Sequence, residues 1–252
     1  MQNPNTMMKT RDFGSIRLAI ACTLANERDS INDFITQMFA ECKDLGEVSF
    51  IAVFDKTDKD GTRKLVEEMA KDDPRIIVIY DPNCNNVVDA IICAYQGALN
   101  TGYEWILEIN AGFRHQPRDL RKFLPYTSQG YLCIFGSRFM PMGVMRAPSI
   151  LRQIYSRGGT LLANLLLGTS LTDMTSGYQL LHRDVAIEMI GRGINSKFHF
   201  VNTEMKAYCK NFKTIEVPIS YETKAANLKS RALSDAFYNL LRLVWLRING
   251  KL

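Results

Sequence analysis

Residues 16–62 read IRLAIACTLANERDSINDFITQMFAECKDLGEVSFIAVFDKTDKDGT. Two short runs rich in β-branched and aromatic residues, 17–22 and 48–54, bracket a segment of different period. In that segment Ile31, Phe34, Ile35, Met38, Phe39 and Cys42 fall at the i, i+3, i+4, i+7 and i+8 spacing of one buried helix face, with Ser30 placed to cap it. A strand, a helix and a second strand within some 40 residues make a βαβ unit, and hence a parallel sheet.

The same alternation continues outward. Strands are expected at 76–80, 104–109 and 131–135, and helices at 62–71 and 87–100. Farther along, the pattern predicts a long helix over 149–167 ending at Gly168, the polar turn Thr172-Asp173-Met174-Thr175-Ser176-Gly177, and a strand over 178–182. A helix over 185–190 and an edge strand over 214–217 follow. Residues 232–246 carry Leu233, Phe237, Leu240, Leu241, Val244 and Trp245 along one helical face, flanked by Arg231, Arg242, Arg247 and Lys251. That face suits either the domain or a partner, or a bilayer surface with Trp245 at headgroup level. No internal repeat or low-complexity linker interrupts the chain.

Composition narrows the classes. Among 252 residues, 31 Lys+Arg against 26 Asp+Glu give a formal charge of +5. This suits anionic ligands or a membrane surface but lacks the basic stripe of a nucleic-acid binder. No apolar run approaches the roughly 18–20 residues of a spanning helix, and the polar residues 1–14 show no secretory signal. The six cysteines (Cys22, Cys42, Cys84, Cys93, Cys133, Cys209) form no CxxC pair. They read as small buried hydrophobes in a reducing compartment, not as a zinc site.

Parallel sheets bind ligands beyond the carboxyl ends of their strands, and the polar clusters fall there. The first strand leads into Thr23-Leu24-Ala25-Asn26-Glu27, the second into Asp55-Lys56-Thr57-Asp58-Lys59-Asp60-Gly61-Thr62, and the strand at Trp105 into Glu108-Ile109-Asn110-Ala111-Gly112-Phe113-Arg114-His115. Strand-end carboxylates can accept hydrogen bonds from a nucleobase or ribose. The acidic loop after the second strand could equally be a solvated turn. Ser137-Arg138, Ser156-Arg157 and Thr175-Ser176-Gly177 add hydroxyl and guanidinium donors suited to phosphate oxygens.

Taken in order, these clusters resemble the inverting family 2 glycosyltransferases with the GT-A fold, above all those that act on polyprenyl phosphate, over residues 16–231. Thr23–Glu27 is similar to the family's P-T-x-N-E, and Asp55–Thr62 to its D-x-S-x-x-D-G-T. Gly136-Ser137-Arg138, Ser156-Arg157-Gly158, Asp173–Gly177 and Glu216-Val217-Pro218-Ile219 are similar to G-S-R, S-R-G, D-x-T-S-G and E-V-P-I.

The resemblance implies a Rossmann-like, mainly parallel GT-A domain over 15–230, with a nucleotide-sugar half (15–125), an acceptor half (126–230) and a C-terminal amphipathic helix (231–252). It implies transfer of a hexose from a nucleoside-diphosphate sugar of the GDP-mannose or UDP-glucose type to polyprenyl phosphate, in the cytoplasm or peripherally on the cytoplasmic face of a membrane. Leu24, Ala25, Glu27, Asp55, Asn110 and Gly112 then meet the nucleotide sugar, while Ser137, Ser156, Thr175, Ser176 and Lys224 meet the acceptor phosphate. Arg138, Arg157 and Arg114 become the catalytic cations.

One motif departs. Asn110-Ala111-Gly112 stands where the family carries D-x-D within D-A-D-x-x-H-x-P, although His115 and Pro117 keep the frame. Mg²⁺ or Mn²⁺ bridging a diphosphate prefers anionic oxygens. Three alternatives follow: Asn110 with Glu108 and His115 as substitute ligands, Arg114 in place of the metal, or a nucleotide-sugar-binding protein that turns over weakly or not at all. A family member acting on a sugar hydroxyl is a further alternative and would need a general base.

Overall fold

The computed structural model describes residues 13–146, 150–222 and 230–252. Lys224 and the start of the helix expected at 149 lie outside them. The chain runs β1 (Arg17–Leu24), α1 (Ile31–Glu41), β2 (Glu47–Phe54), α2 (Thr62–Asp72), β3 (Ile76–Tyr80), α3 (Val87–Asn100) and β4 (Trp105–Glu108). It continues through α4 (Leu120–Phe123), β5 (Cys133–Ser137), β6 (Val144–Arg146), α5 (Ile150–Leu167), β7 (Gln179–His182) and α6 (Arg183–Gly191). The last elements are α7 (Val201–Tyr208), β8 (Thr214–Pro218), β9 (Ser220–Glu222) and α8 (Ser230–Ile248).

Seven strands form one sheet in the order β3-β2-β1-β4-β7-β5-β8, parallel except for β7, which runs antiparallel to both its neighbours. This is the mainly parallel, helix-flanked GT-A-like fold expected from the sequence. A two-stranded parallel ribbon, β6 with β9, stands apart from it.

Side-chain alternation along β1 explains the layers. Leu18, Ile20, Cys22 and Leu24 face the core under α1, whereas Ala19 and Ala21 face the core under α3. The alanines let α3 approach closely. At Gly97 of α3 a Cβ would lie 2.6 Å from Ile79 Cδ1 and 2.8 Å from Ile51 Cγ2, so a larger residue would force those side chains to shift. All six cysteines are unpaired, and all but the half-buried Cys93 are buried.

Three expectations need correction. Ser30 precedes α1 but makes no capping bond; its hydroxyl donates instead to the Glu27 carbonyl at 3.3 Å. The strand expected at 131–135 is shifted to β5, because its register with β8 carries pairing on to Ser137 opposite Pro218. The apolar face expected on α8 divides: Leu240 and Leu243 are buried in the α3-side core, while Leu233, Phe237, Leu241 and Trp245 are exposed. Among the described residues no helix is long and apolar enough to cross a membrane.

Candidate active site at the strand ends

The exits of β1 and β2 are sewn together by side chains. Asn26, with φ +58, donates its amide to the Thr57 carbonyl at 2.9 Å and accepts from the Lys59 N–H at 3.0 Å. Asn is one of the few residues that take this left-handed backbone readily. The Glu27 N–H donates to Thr62 Oγ1 at 2.9 Å, and the Arg28 N–H to Asp60 Oδ2 at 3.0 Å.

Asp58 and Asp60 are therefore occupied in holding the two loops together and are more than a solvated turn, and Asp60 also accepts from the Thr62 N–H at 2.9 Å. Asp55 keeps one oxygen in its own turn, accepting from the Thr57 N–H at 2.7 Å. Its other oxygen takes no part in that turn. The Leu24 side chain lies in the core, so only its backbone reaches the exit, beside half-buried Ala25.

The β4 exit turns tightly through Gly112 (φ +66) and Phe113 (φ +55). The Asn110 N–H donates to His115 Nδ1 at 3.2 Å. The Glu27 carboxylate lies against Gly112 and pairs with Arg114 Nη2 at 2.7 Å.

The substitute metal set of Asn110, Glu108 and His115 does not form. Glu108 points beneath α3, where its Oε2 accepts from the Tyr95 hydroxyl at 2.9 Å and from Gln179 Nε2 at 2.8 Å. Burial pushes its pKa up to about 7. His115 packs on the opposite side of the sheet, its ring 5.0 Å from Tyr178 and 5.1 Å from Tyr221. Burial, with help from Arg138, lowers its pKa to about 3. Its Nδ1 is already an acceptor for Asn110. Among the described residues no three His, Cys, Asp or Glu side chains gather as a metal site.

Residues expected to meet the acceptor phosphate gather where β5 meets the 172–177 turn. Arg138, at the end of β5, donates from Nε and Nη2 to both Asp173 oxygens at 2.7 and 2.8 Å, and from Nη2 to Thr175 Oγ1 at 2.5 Å. Ser137 and Thr172 share a hydroxyl bond of 2.6 Å. Glu216 accepts from the N–H groups of Thr172 and Asp173, at 2.6 and 3.0 Å, and Lys206 donates its ammonium to the Asp173 carbonyl.

Arg138 is thus a buried cation paired with Asp173 as well as a phosphate candidate. Arg157, by contrast, is exposed on α5 and lies over the Phe139 ring at 4.5 Å; Arg138 lies 5.2 Å from the same ring. Ser156 is half-buried beside Arg157. Ser176 is buried and accepts from the Tyr178 N–H at 3.4 Å, so its hydroxyl turns inward.

Arg138 also lies 5.3 Å from the ring of Tyr221, the aromatic that meets His115. Tyr221 thus links the turn after β4 with Arg138 at the end of β5. Lys206, Tyr221 and Gln179 were absent from the residues expected from sequence. Lys206 lies in α7, a helix buried on all sides, so no apolar stripe singles it out.

The strand order, with one antiparallel strand in a parallel sheet covered by helices on both faces, defines a GT-A-like α/β fold. Solved structures with this fold include glucosyl-3-phosphoglycerate synthase from Mycobacterium tuberculosis in complex with Mn²⁺, UDP and phosphoglyceric acid, with TM-score 0.62 and 12% identity over 92% of this chain and 78% of that one. Another is mannosyl-3-phosphoglycerate synthase from Rubrobacter xylanophilus, with TM-score 0.60 and 15% identity over 94% and 76%.

Residues 20–190 match Glycosyl transferase family 2, and the chain belongs to that family. Its curated relatives include the polyprenol monophosphomannose synthase of Mycolicibacterium smegmatis, 24% identical over the whole of this chain and 92% of the relative. The undecaprenyl-phosphate mannosyltransferase of Micrococcus luteus is 28% identical over 77% of this chain and 82% of its own length. The chain is accordingly a sugar-transferring enzyme.

Proposed function

We propose that the chain moves a hexose, mannose by analogy with the named relatives, from a nucleoside-diphosphate sugar to polyprenyl phosphate, with inversion at the anomeric carbon. The observation that carries this reading is the state of Asp173. Burial alone would raise the pKa of this carboxyl, but the Arg138 hydrogen bonds and charge outweigh it and hold the value down to about 2. A carboxylate so held is a poor proton acceptor, so Asp173 does not serve as the base that a sugar-hydroxyl substrate would need. A phosphate monoester needs no base, because its second pKa is about 6 and it arrives as an anion.

In the step itself, an acceptor phosphate oxygen forms a bond to C1 while the bond from C1 to the donor's β-phosphate oxygen breaks. The electron pair stays on the departing nucleoside diphosphate, and no proton moves. What remains for the protein is positioning and charge neutralisation. Arg157 and Arg138, with Thr175 and Ser137, suit the acceptor phosphate. Lys224 is proposed for the same phosphate through the resemblance alone.

The test is a screen of GDP- and UDP-linked hexoses with a short polyprenyl phosphate, read as glycolipid. Donor binding without any transfer would favour the weak-turnover reading, which Asn110 and Gly112 motivate. On the donor side, Asp55→Ala should weaken nucleotide binding by about 1–3 kcal/mol, the cost of a lost hydrogen bond to the donor, without unfolding the protein. Calorimetry giving an unchanged Kd in the folded variant would reject the assignment.

A lipid acceptor also gives a use to the exposed apolar side chains of α5 (Ile150, Leu151, Ile154, Leu161, Leu165) and α8 (Phe237, Trp245, Ile248). Those helices pack together, and exposed Arg157 and Arg231 flank the patch. We assign this face to peripheral contact with the cytoplasmic side of a membrane. Phe237→Asp with Trp245→Asp should leave the thermal midpoint unchanged and lower binding to anionic vesicles on the order of tenfold. Unaltered vesicle binding, or a dimer that dissociates in the variant, would assign the face elsewhere.

A further inference from the structure

The tip of β4 is built around an ion pair of Glu27 with Arg114, not around a pair of carboxylates on the strand itself. At Gly112 (φ +66) a Cβ would fall 2.2 Å from Glu27 Oε2, so the residue is glycine where Glu27 needs the space. Glu27 Oε1 in turn is paired with Arg114 Nη2 at 2.7 Å. The Arg114 backbone is fixed independently: its carbonyl accepts from the Glu222 N–H at 2.9 Å, and the adjoining His115 bridges to Tyr221. Glu27 engages one edge of the guanidinium, and 48% of the Arg114 side chain is exposed. Donors therefore remain for a second anion. His115, the next residue, is held neutral and adds no charge.

A divalent cation held by two carboxylates would do two things for a diphosphate: bridge its oxygens and offset the repulsion that the carboxylates themselves create. Asn110 and Gly112 supply no anionic ligand. They also create no repulsion to be offset. A guanidinium presents a planar fork of N–H groups that matches phosphate oxygens and carries its charge without a metal.

We propose that Arg114, oriented by Glu27, holds the donor diphosphate and takes up its developing charge as it departs, so that diphosphate recognition in this chain does not require a protein-bound divalent cation. The proposal rests on the donor reading given under the proposed function.

Calorimetry with GDP, GMP, UDP and UMP, each in EDTA and in MgCl₂, tests it without relying on turnover. In EDTA, the better-bound base should favour its diphosphate over its monophosphate on the order of 10- to 100-fold, the range expected for hydrogen bonds to a charged group. MgCl₂ should change this preference little. Arg114→Ala should abolish the preference while leaving monophosphate affinity in place, and Arg114→Lys should restore part of it. Arg114→Gln, which keeps a hydrogen-bond donor for Glu27, serves if the alanine variant unfolds.

Loss of the diphosphate preference in EDTA by the natural protein, or its survival in Arg114→Ala, overturns the proposal while leaving the donor reading intact. Failure of all four nucleotides to bind, with and without MgCl₂, overturns both.

Discussion

Arg138→Ala should lower stability by about 3–5 kcal/mol, the usual cost of breaking a buried ion pair from one side, and should abolish transfer. Arg138 is 6% exposed and Asp173 fully buried. Truncation leaves a carboxylate with no solvent and without its two guanidinium bonds, supported by its own turn and by the nearby Lys206 ammonium. Burial lowers the Lys206 pKa to about 8, so this remaining cation is itself costly to keep charged. The thermal midpoint should fall on the order of 10 °C.

The pH dependence has a definite sign. Asp173 has a folded-state pKa of about 2, below its ordinary 3.8. Its contribution is present above pH 4 and is lost as pH falls toward 2. Removing Arg138 lifts that pKa, so acid unfolding should begin at higher pH in the variant. Asp173→Leu combined with Arg138→Met should recover part of the stability, since apolar replacement of both partners removes the desolvation cost, yet recover no activity. Arg157→Ala is the contrast: exposed and lying over the Phe139 ring, it should cost turnover with a midpoint nearly unchanged. A midpoint for Arg138→Ala within 2 °C of the natural protein would reject the structural role.

The same pair shows how far a sequence can be read. The spacing of Ile31, Phe34, Ile35 and Met38 between two apolar runs is enough to specify the βαβ unit, because a helix stripe and a buried strand have different periods. The loops after β1, β2, β4 and β5 were legible because their polar clusters follow strand ends. What Arg138 does there was not. A Ser-Arg dipeptide looks the same whether the guanidinium meets a ligand or a buried Asp173 35 residues onward.

Glu108 shows a second limit. Alternation correctly puts it on the same strand face as Asn110, but both faces of a parallel sheet are covered, and period alone does not say that α3 brings Tyr95 onto that carboxyl. The short elements β6, α7 and β9 escaped for a related reason. They are three to eight residues long, too short for a period to register, and tertiary pairing defines them. Yet β9 delivers Tyr221 and the N–H that anchors Arg114.

Gly112→Asp combined with Asn110→Asp restores on paper the acidic pair of the family, and it should weaken the protein instead of repairing it. Asn110→Asp alone is sterically neutral, since the two side chains have the same shape. Position 112 is different. A side chain there must adopt φ +66, which costs about 1 kcal/mol relative to glycine, and its Cβ must displace the Glu27 carboxylate from 2.2 Å away. Glu27 is only 12% exposed. Driving it out breaks its pair with Arg114 and sets two or three carboxylates around one guanidinium.

The expected result is a loss of about 2–3 kcal/mol of stability, from left-handed strain together with like-charge crowding. In EDTA, nucleoside-diphosphate affinity should fall on the order of 10- to 100-fold, because Arg114 is then saturated by protein carboxylates. Added MgCl₂ should recover part of that affinity by neutralising the new charges, so that binding by the variant depends on the metal more than binding by the natural protein does. Calorimetry and thermal unfolding on Asn110→Asp, Gly112→Asp and the double variant separate the two contributions: strain follows position 112, and charge follows both. If the double variant instead gains turnover sharply in MgCl₂ with an unchanged midpoint, Glu27 moves aside freely, and the glycine marks a lost metal ligand, not the seat of an arginine.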